Sequence, residues 1–168
     1  MAKVAFVLTD DFEDSEFTVP YERIKEAGHE VTVIGTEAGE EVEGKKGEAS
    51  FTPETTPDRV NPADFDALVI PGGYSPDKLR TNEGVVKFVQ GFFNEDKPVA
   101  AICHAGSLLV EADAVDGRTV TSWPSVRTDL LNAGAKWVDK EVVVDGNLIT
   151  SRNPGDLDAF TDAILKAI

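Results

Sequence analysis

Short, wholly apolar runs alternate with stretches of helical periodicity along this chain, and that alternation admits few folds. Val4 to Leu8 reads as a buried strand, and from about Ser15 a helical pattern follows in Phe17, Tyr21 and Ile24, stopped by Ala27-Gly28. Glu30 to Ile34 is the next strand. Ala67 to Ile70 is a third, ending abruptly at Pro71-Gly72-Gly73, after which Val85, Phe88, Val89, Phe92 and Phe93 fall on one helical face. Val99 to Ile102 precedes a helical stretch from Ser107 to Ala112, and the chain closes on a helix capped by Asn153, with Pro154 in its first turn and Leu157, Phe160, Ile164 and Ile168 on its apolar face. Runs that are apolar on both sides need cover on both sides, so the expected fold is α/β: a doubly wound sandwich, its sheet mainly parallel, with helices on both faces. Smaller pieces are added to it. Ala38 to Phe51 predicts a short, peripheral hairpin. Arg118 to Thr121 predicts a short strand, Pro124 to Gly134 a short helix, and Glu141 to Val144 with Leu148 to Ser151 a hairpin turning at Asp145-Gly146-Asn147.

A chain of 168 residues fits one domain spanning 1–168, and its 41% hydrophobic and 28% charged content is that of a globular protein. No apolar run approaches the roughly 20 residues of a membrane span, and Met1-Ala2-Lys3-Val4 enters a strand directly, so the expectation is a cytoplasmic protein without membrane contact. One cysteine and two histidines, His29 and His104, suit neither a disulfide nor a zinc site, so neither metal nor cofactor is expected. The formal charge of −15, from 31 acidic and 16 basic residues, disfavours nucleic acid as a partner. Such a surface also suits a high-salt habitat, an expectation that undiminished folding and activity in dilute buffer would contradict.

Ligands of doubly wound sheets bind beyond the carboxyl ends of the strands, where Asp10 to Glu16, Gly72-Gly73 and Cys103-His104 would all converge. The small residues around Cys103, from Ala100 to Gly106, permit a sharp strand-to-helix turn that lifts a nucleophile clear of the sheet. Taken alone, the cysteine reads more readily as a small core hydrophobe than as a nucleophile. Backbone N–H groups of the glycine loop and of the residue after Cys103 are candidate oxyanion donors. His104 is either a general acid or base or a bystander, since neighbours in sequence rarely face one another. The five carboxylates from Asp10 to Glu16 read mostly as helix-dipole compensation, with one of them available to reach the thiol.

Phe12-Glu13-Asp14-Ser15-Glu16, Pro71-Gly72-Gly73-Tyr74-Ser75-Pro76-Asp77, Ala101-Ile102-Cys103-His104, Thr121-Ser122-Trp123-Pro124 and Asn132-Ala133-Gly134-Ala135 occur in the order and spacing of PfpI-like proteins. The chain resembles that family, part of the class I glutamine-amidotransferase-like superfamily, nearly end to end. The resemblance implies a flavodoxin-like sandwich with Cys103 as nucleophile, Glu16 as the carboxyl at the sulfur, Gly73 (beside Gly72) and His104 as oxyanion donors, and His104 as the histidine of the site. Glu13 is a second acidic candidate, and Trp123 falls where the family places an aromatic beside the cysteine. Asp77 lies where some members carry a glutamate that reaches the histidine across a subunit interface, and it is one methylene shorter. Ala105-Gly106-Ser107 also departs from the family's Gly-Pro after the histidine. The implied functions are glyoxalase or deglycase action on methylglyoxal or its adducts, intracellular cysteine peptidase action, or a non-enzymatic role as redox sensor or chaperone-like stress protein. The small domain favours small carbonyl substrates over peptides, and the family implies a homo-oligomer, dimer or hexamer. Glutamine amidotransfer is disfavoured because no histidine follows His104.

Overall fold

In the computed structural model, which describes residues 1–168, the residues from Val4 to Leu8 and from Leu68 to Ile70 have no solvent exposure at all. Such segments lie only in the middle of a sheet covered on both faces. The first half of the chain runs β1 (Lys3–Val7), α1 (Asp14–Glu26), β2 (Glu30–Ile34), β3 (Val42–Glu43), β4 (Ser50–Phe51), β5 (Ala67–Ile70), α2 (Ser75–Leu79) and α3 (Glu83–Asn94). It continues through β6 (Val99–Ile102), α4 (Gly106–Glu111), β7 (Thr119–Val120), α5 (Arg127–Asn132), β8 (Lys136–Trp137), β9 (Val143–Asp145), β10 (Leu148–Ser151) and α6 (Leu157–Ala167). The main sheet has the order β2-β1-β5-β6-β10-β9, parallel throughout except for the antiparallel edge strand β9. This is the expected doubly wound α/β fold.

Alternate residues of β1 feed two separate cores. Val4 and Phe6 join Phe17, Ile24, Phe160 and Ile164 beneath α1 and α6, while Ala5 and Val7 join Val85, Phe88, Phe92, Leu108 and Leu130 beneath α3, α4 and α5. α3 buries the face its periodicity predicts. In α1, Pro20 lacks the N–H that would reach the Glu16 carbonyl one turn earlier. None of the helices is long and apolar enough to cross a membrane.

Four details differ from the sequence expectation. The segment Leu148 to Ser151 is more than one arm of an added hairpin, because β10 also pairs in parallel with β6 inside the main sheet. β7 has a partner, β8, too short and too polar to announce itself. α2 follows the glycine loop and has only five residues, below the length at which periodicity can be read. The β3–β4 hairpin lies off the main sheet, as its composition suggests, but it is not peripheral. Its Phe51 packs edge-on against Phe17, with ring centroids 5.4 Å apart, and its tip is bonded to Asp14 at the start of α1. His29 is structural, its Nδ1 accepting the Ala2 N–H at 2.9 Å.

The strand order reverses between β1 and β5, which opens a crevice at their carboxyl ends. The segment after β1 and the loop after β5 close over it through a bridge between Phe12 and Gly73.

Candidate active site

Ile102 is extended, and the next residue, Cys103, turns the chain into the left-handed region at φ +63°. For a non-glycine residue that conformation costs about 1–2 kcal/mol, and the surroundings hold it in place: the Trp123 N–H donates to the Cys103 carbonyl at 3.1 Å. A single turn, Cys103–Ala105, then leads into α4. The cysteine is 8% exposed, at the surface of the core but not sealed within it.

Gly72 and Gly73 are glycines for separate reasons. A Cβ on Gly72 would lie 2.8 Å from both Cys103 Cβ and the Ile102 carbonyl, and closer still to Glu16 Oε1. Gly73 has φ +75°, and a Cβ there would strike the backbone of Asp11, Phe12 and Glu13. Without side chains the loop lies against the nucleophile, and the N–H groups of Gly73 and His104 both pull the Cys103 pKa down, as donors facing the sulfur do. Two donors aimed at one point are what a developing negative charge requires.

Glu16, in the first turn of α1, has no solvent exposure. Its Oε1 accepts the Gly72 N–H at 3.0 Å. The carboxyl also interacts with the Cys103 side chain, while Oε2 lacks a well-formed hydrogen-bond partner. Burial, reinforced by the negative charge of Glu13, pushes the Glu16 pKa up to about 8, so the acid form prevails at neutral pH. Burial and the Glu16 charge push the Cys103 thiol up to about 12, against the pull of the Gly73 and His104 N–H groups and of Lys45. The two residues titrate as a pair. When Glu16 keeps its proton, its repulsion of the thiolate disappears and its O–H becomes a donor to the sulfur.

The other carboxylates of the acidic segment have specific partners, contrary to the expectation of mere dipole compensation. Asp14, nearly buried, accepts the N–H groups of Lys46, Glu48 and Ala49 at 2.9–3.0 Å and so clamps the hairpin tip. Glu13, 4% exposed, pairs with Lys45 at 2.7 Å and Lys46 at 2.9 Å, which hold its carboxyl below the usual range despite burial. Asp11 pairs with Lys78 at 2.6 Å, and Asp10 accepts the Glu43 N–H.

His104 lies between two aromatic rings, Tyr74 with centroids 6.2 Å away and Trp123 stacked at 6.3 Å. Burial and the nearby Lys45 charge lower its pKa, with Asp77 acting the other way, so the imidazole is neutral at pH 7. Asp77 is exposed on α2 and makes no hydrogen bond to His104 within the chain. Both line a cavity of about 350 Å³ with Gly73, Tyr74, Arg80, Ser125 and Asp129. A larger, mainly apolar hollow of about 550 Å³ lies at the opposite edge of the sheet, by Pro98, Asn147 and α6, and contains no nucleophile.

The structure thus brings Cys103, Glu16, Gly72, Gly73 and His104 together, with Trp123 against the histidine and Glu13 one layer away. Asp77 lines the same cavity as His104 without bonding it within the chain. Lys45 and Tyr74 were not singled out from the sequence. The one signal for Lys45 was a pair of lysines between two glycines, Gly44 and Gly47, in a strongly acidic chain.

A model described as the DJ-1/PfpI family matches residues 2–167. General stress protein 18 of Bacillus subtilis is 54% identical over 159 residues, covering 94% of this chain and 92% of its own. Protein/nucleic acid deglycase 2 of Escherichia coli is 50% identical over 167 residues, covering 99% and 97%. Among solved structures, a two-domain protein of Anabaena variabilis with DJ-1/ThiJ/PfpI-like and ferritin-like domains superposes with a TM-score of 0.97 at 44% identity. That match takes in 99% of this chain and 48% of the two-domain protein.

Proposed function

Because the chain belongs to the DJ-1/PfpI family, we propose that it is a cysteine-dependent enzyme of the glyoxalase and deglycase type, acting on methylglyoxal or on its adducts with amino groups. One observation carries this reading: a single thiol on a strained elbow, faced by two backbone N–H donors and by a buried carboxyl that titrates near neutral pH.

With methylglyoxal, the Cys103 sulfur adds to the aldehyde carbon and forms a hemithioacetal. The N–H groups of Gly73 and His104 steady the charge that leaves the sulfur for the new oxygen. Moving the proton from C1 to C2, through an enediol, converts the adduct into a thioester. Glu16 is suited to that transfer, since a carboxyl of pKa about 8 is present in both forms near neutrality. Neutral His104 is the second candidate carrier. Water then releases lactate and regenerates the thiol, so methylglyoxal plus water gives lactate with no external oxidant or reductant. On a hemiaminal adduct the thiol displaces the amine: the C–S bond forms as the C–N bond breaks, the thiol proton leaves on the amine, and the same hemithioacetal results.

Three substrates offered to the purified protein test the assignment: methylglyoxal, methylglyoxal-treated acetyl-lysine and a chromogenic peptide. Lactate from the first two is expected. Peptide cleavage without lactate would move the assignment to the peptidase reading. Peroxide modification of Cys103 with no turnover of any of the three would move it to the redox sensor.

A further inference from the structure

Three sets of contacts fix Lys45 in the wall of the site, although no chemical step described above uses it. First, the hairpin tip is clamped by the Asp14 carboxylate, and Gly44 leaves no room there for a side chain. Second, the Lys45 N–H donates to the Phe12 carbonyl at 2.9 Å, and Phe12 bridges on its other side to Gly73. Third, the ammonium lies 2.7 Å from Glu13 Oε2 and 5.7 Å from the centre of the Tyr74 ring, whose neighbour is His104. Lys46 shares the same carboxylate. Two ammonium groups therefore meet one carboxylate, with Glu48 as a further negative charge beside Lys46 and none beyond Glu13 paired with Lys45.

We propose that Lys45 is a positioning residue whose charge favours Cys103 as thiolate and His104 as neutral imidazole, with Glu13 as its anchor. Glu16 acts on Cys103 from α1, Glu13 acts on Glu16 from the segment before that helix, and Asp77 acts on His104 from α2. Lys45 is the cation that acts on Cys103, Glu16 and His104 alike. A nearby positive charge stabilises a thiolate and opposes an imidazolium, so one side chain biases both residues toward the forms that attack on a carbonyl requires. Glu13 then has a different role from the one its place in the acidic segment suggests: it holds the lysine and does not serve the sulfur.

The inference rests on Cys103 as the reacting thiol, and its test reads that thiol without any substrate. Cys103 is the only cysteine, so the rate of iodoacetamide alkylation at a fixed pH of about 8, where Lys45 is charged, reports its thiolate fraction alone. Lys45→Met is expected to lower that rate by roughly 3–10-fold. Lys45→Gln, which still donates to Glu13, should lower it equally, and Lys45→Arg should restore it. Lys46→Met should lower it by less than half as much. An unchanged rate in both neutral Lys45 variants, or an equal fall in Lys46→Met, would overturn the role of Lys45 and leave the carbonyl chemistry of Cys103 untouched.

Discussion

Glu16→Gln is expected to gain stability relative to the native protein as pH rises from 5 to 9, and to lose most of its turnover. The folded-state pKa of Glu16, about 8, lies above the ordinary 4.5 of an unfolded chain. Between those values the unfolded chain releases a proton that the folded protein keeps, so the native protein loses stability as pH rises. The loss is complete above the folded pKa and amounts to roughly 3–5 kcal/mol for a shift of this size. Glutamine has no proton to lose, so its variant lacks that slope. Ionisable groups remote from Glu16 contribute to both proteins alike and cancel in the difference. Urea unfolding at pH 5 and pH 9 measures it directly, and a constant difference between the two proteins would show that Glu16 ionises normally. Because the glutamine oxygen still accepts the Gly72 N–H and its amide can donate to the sulfur, the site should keep its shape. Proton transfer at this position is lost, which is expected to lower kcat by about 10²–10⁴.

Gly73→Ala should be among the most damaging single-methyl additions in the molecule. At φ +75° any side chain is strained, and the added carbon would lie 2.6 Å from the Asp11 carbonyl and 2.7 Å from the Phe12 carbonyl carbon. These are backbone atoms held by the Phe12–Gly73 bridge and by the Tyr74 N–H bond to Asp11, so they have little freedom to withdraw. Left-handed strain and overpacking together predict a loss of about 2–4 kcal/mol, along with an N–H donor displaced from the sulfur. Gly28→Ala is the control. Its φ is +93° but nothing lies within 4 Å of the added carbon, so it should cost only about 1 kcal/mol and leave activity intact. Thermal unfolding of the two variants separates the effects, and equal losses would mean that the Gly73 loop yields more easily than its bonding implies.

The layers of the fold were legible because burial on both faces writes itself into composition: Val4 to Leu8 and Ala67 to Ile70 have one explanation each. Cys103 could be placed for the same reason, at the end of such a run and before small residues. What could not be read depended on partners distant in sequence. Glu13 and Asp14 look like ordinary helix-start carboxylates until Lys45, Lys46 and the hairpin N–H groups, more than thirty positions later, are brought onto them. The same pairing turns a Gly- and Lys-rich hairpin from an appendage into a wall of the site. α2 and β8 were missed because five and two residues are too few to show a period. Asp77 and His104 both face the cavity, as their motifs suggest, but the side chains do not bond, and no spacing rule distinguishes those two arrangements.

Whether the Cys103 thiol is the group that attacks the carbonyl is decided by lactate formation from methylglyoxal by Cys103→Ala beside the native protein. Alanine accepts the φ +63° elbow no less readily than cysteine, so the variant should fold and melt within a few degrees of the parent. The expected result is a fall in rate of at least about 10³-fold, since removing a nucleophile removes the covalent path. A variant that folds and still forms lactate at a rate near the native one would contradict it.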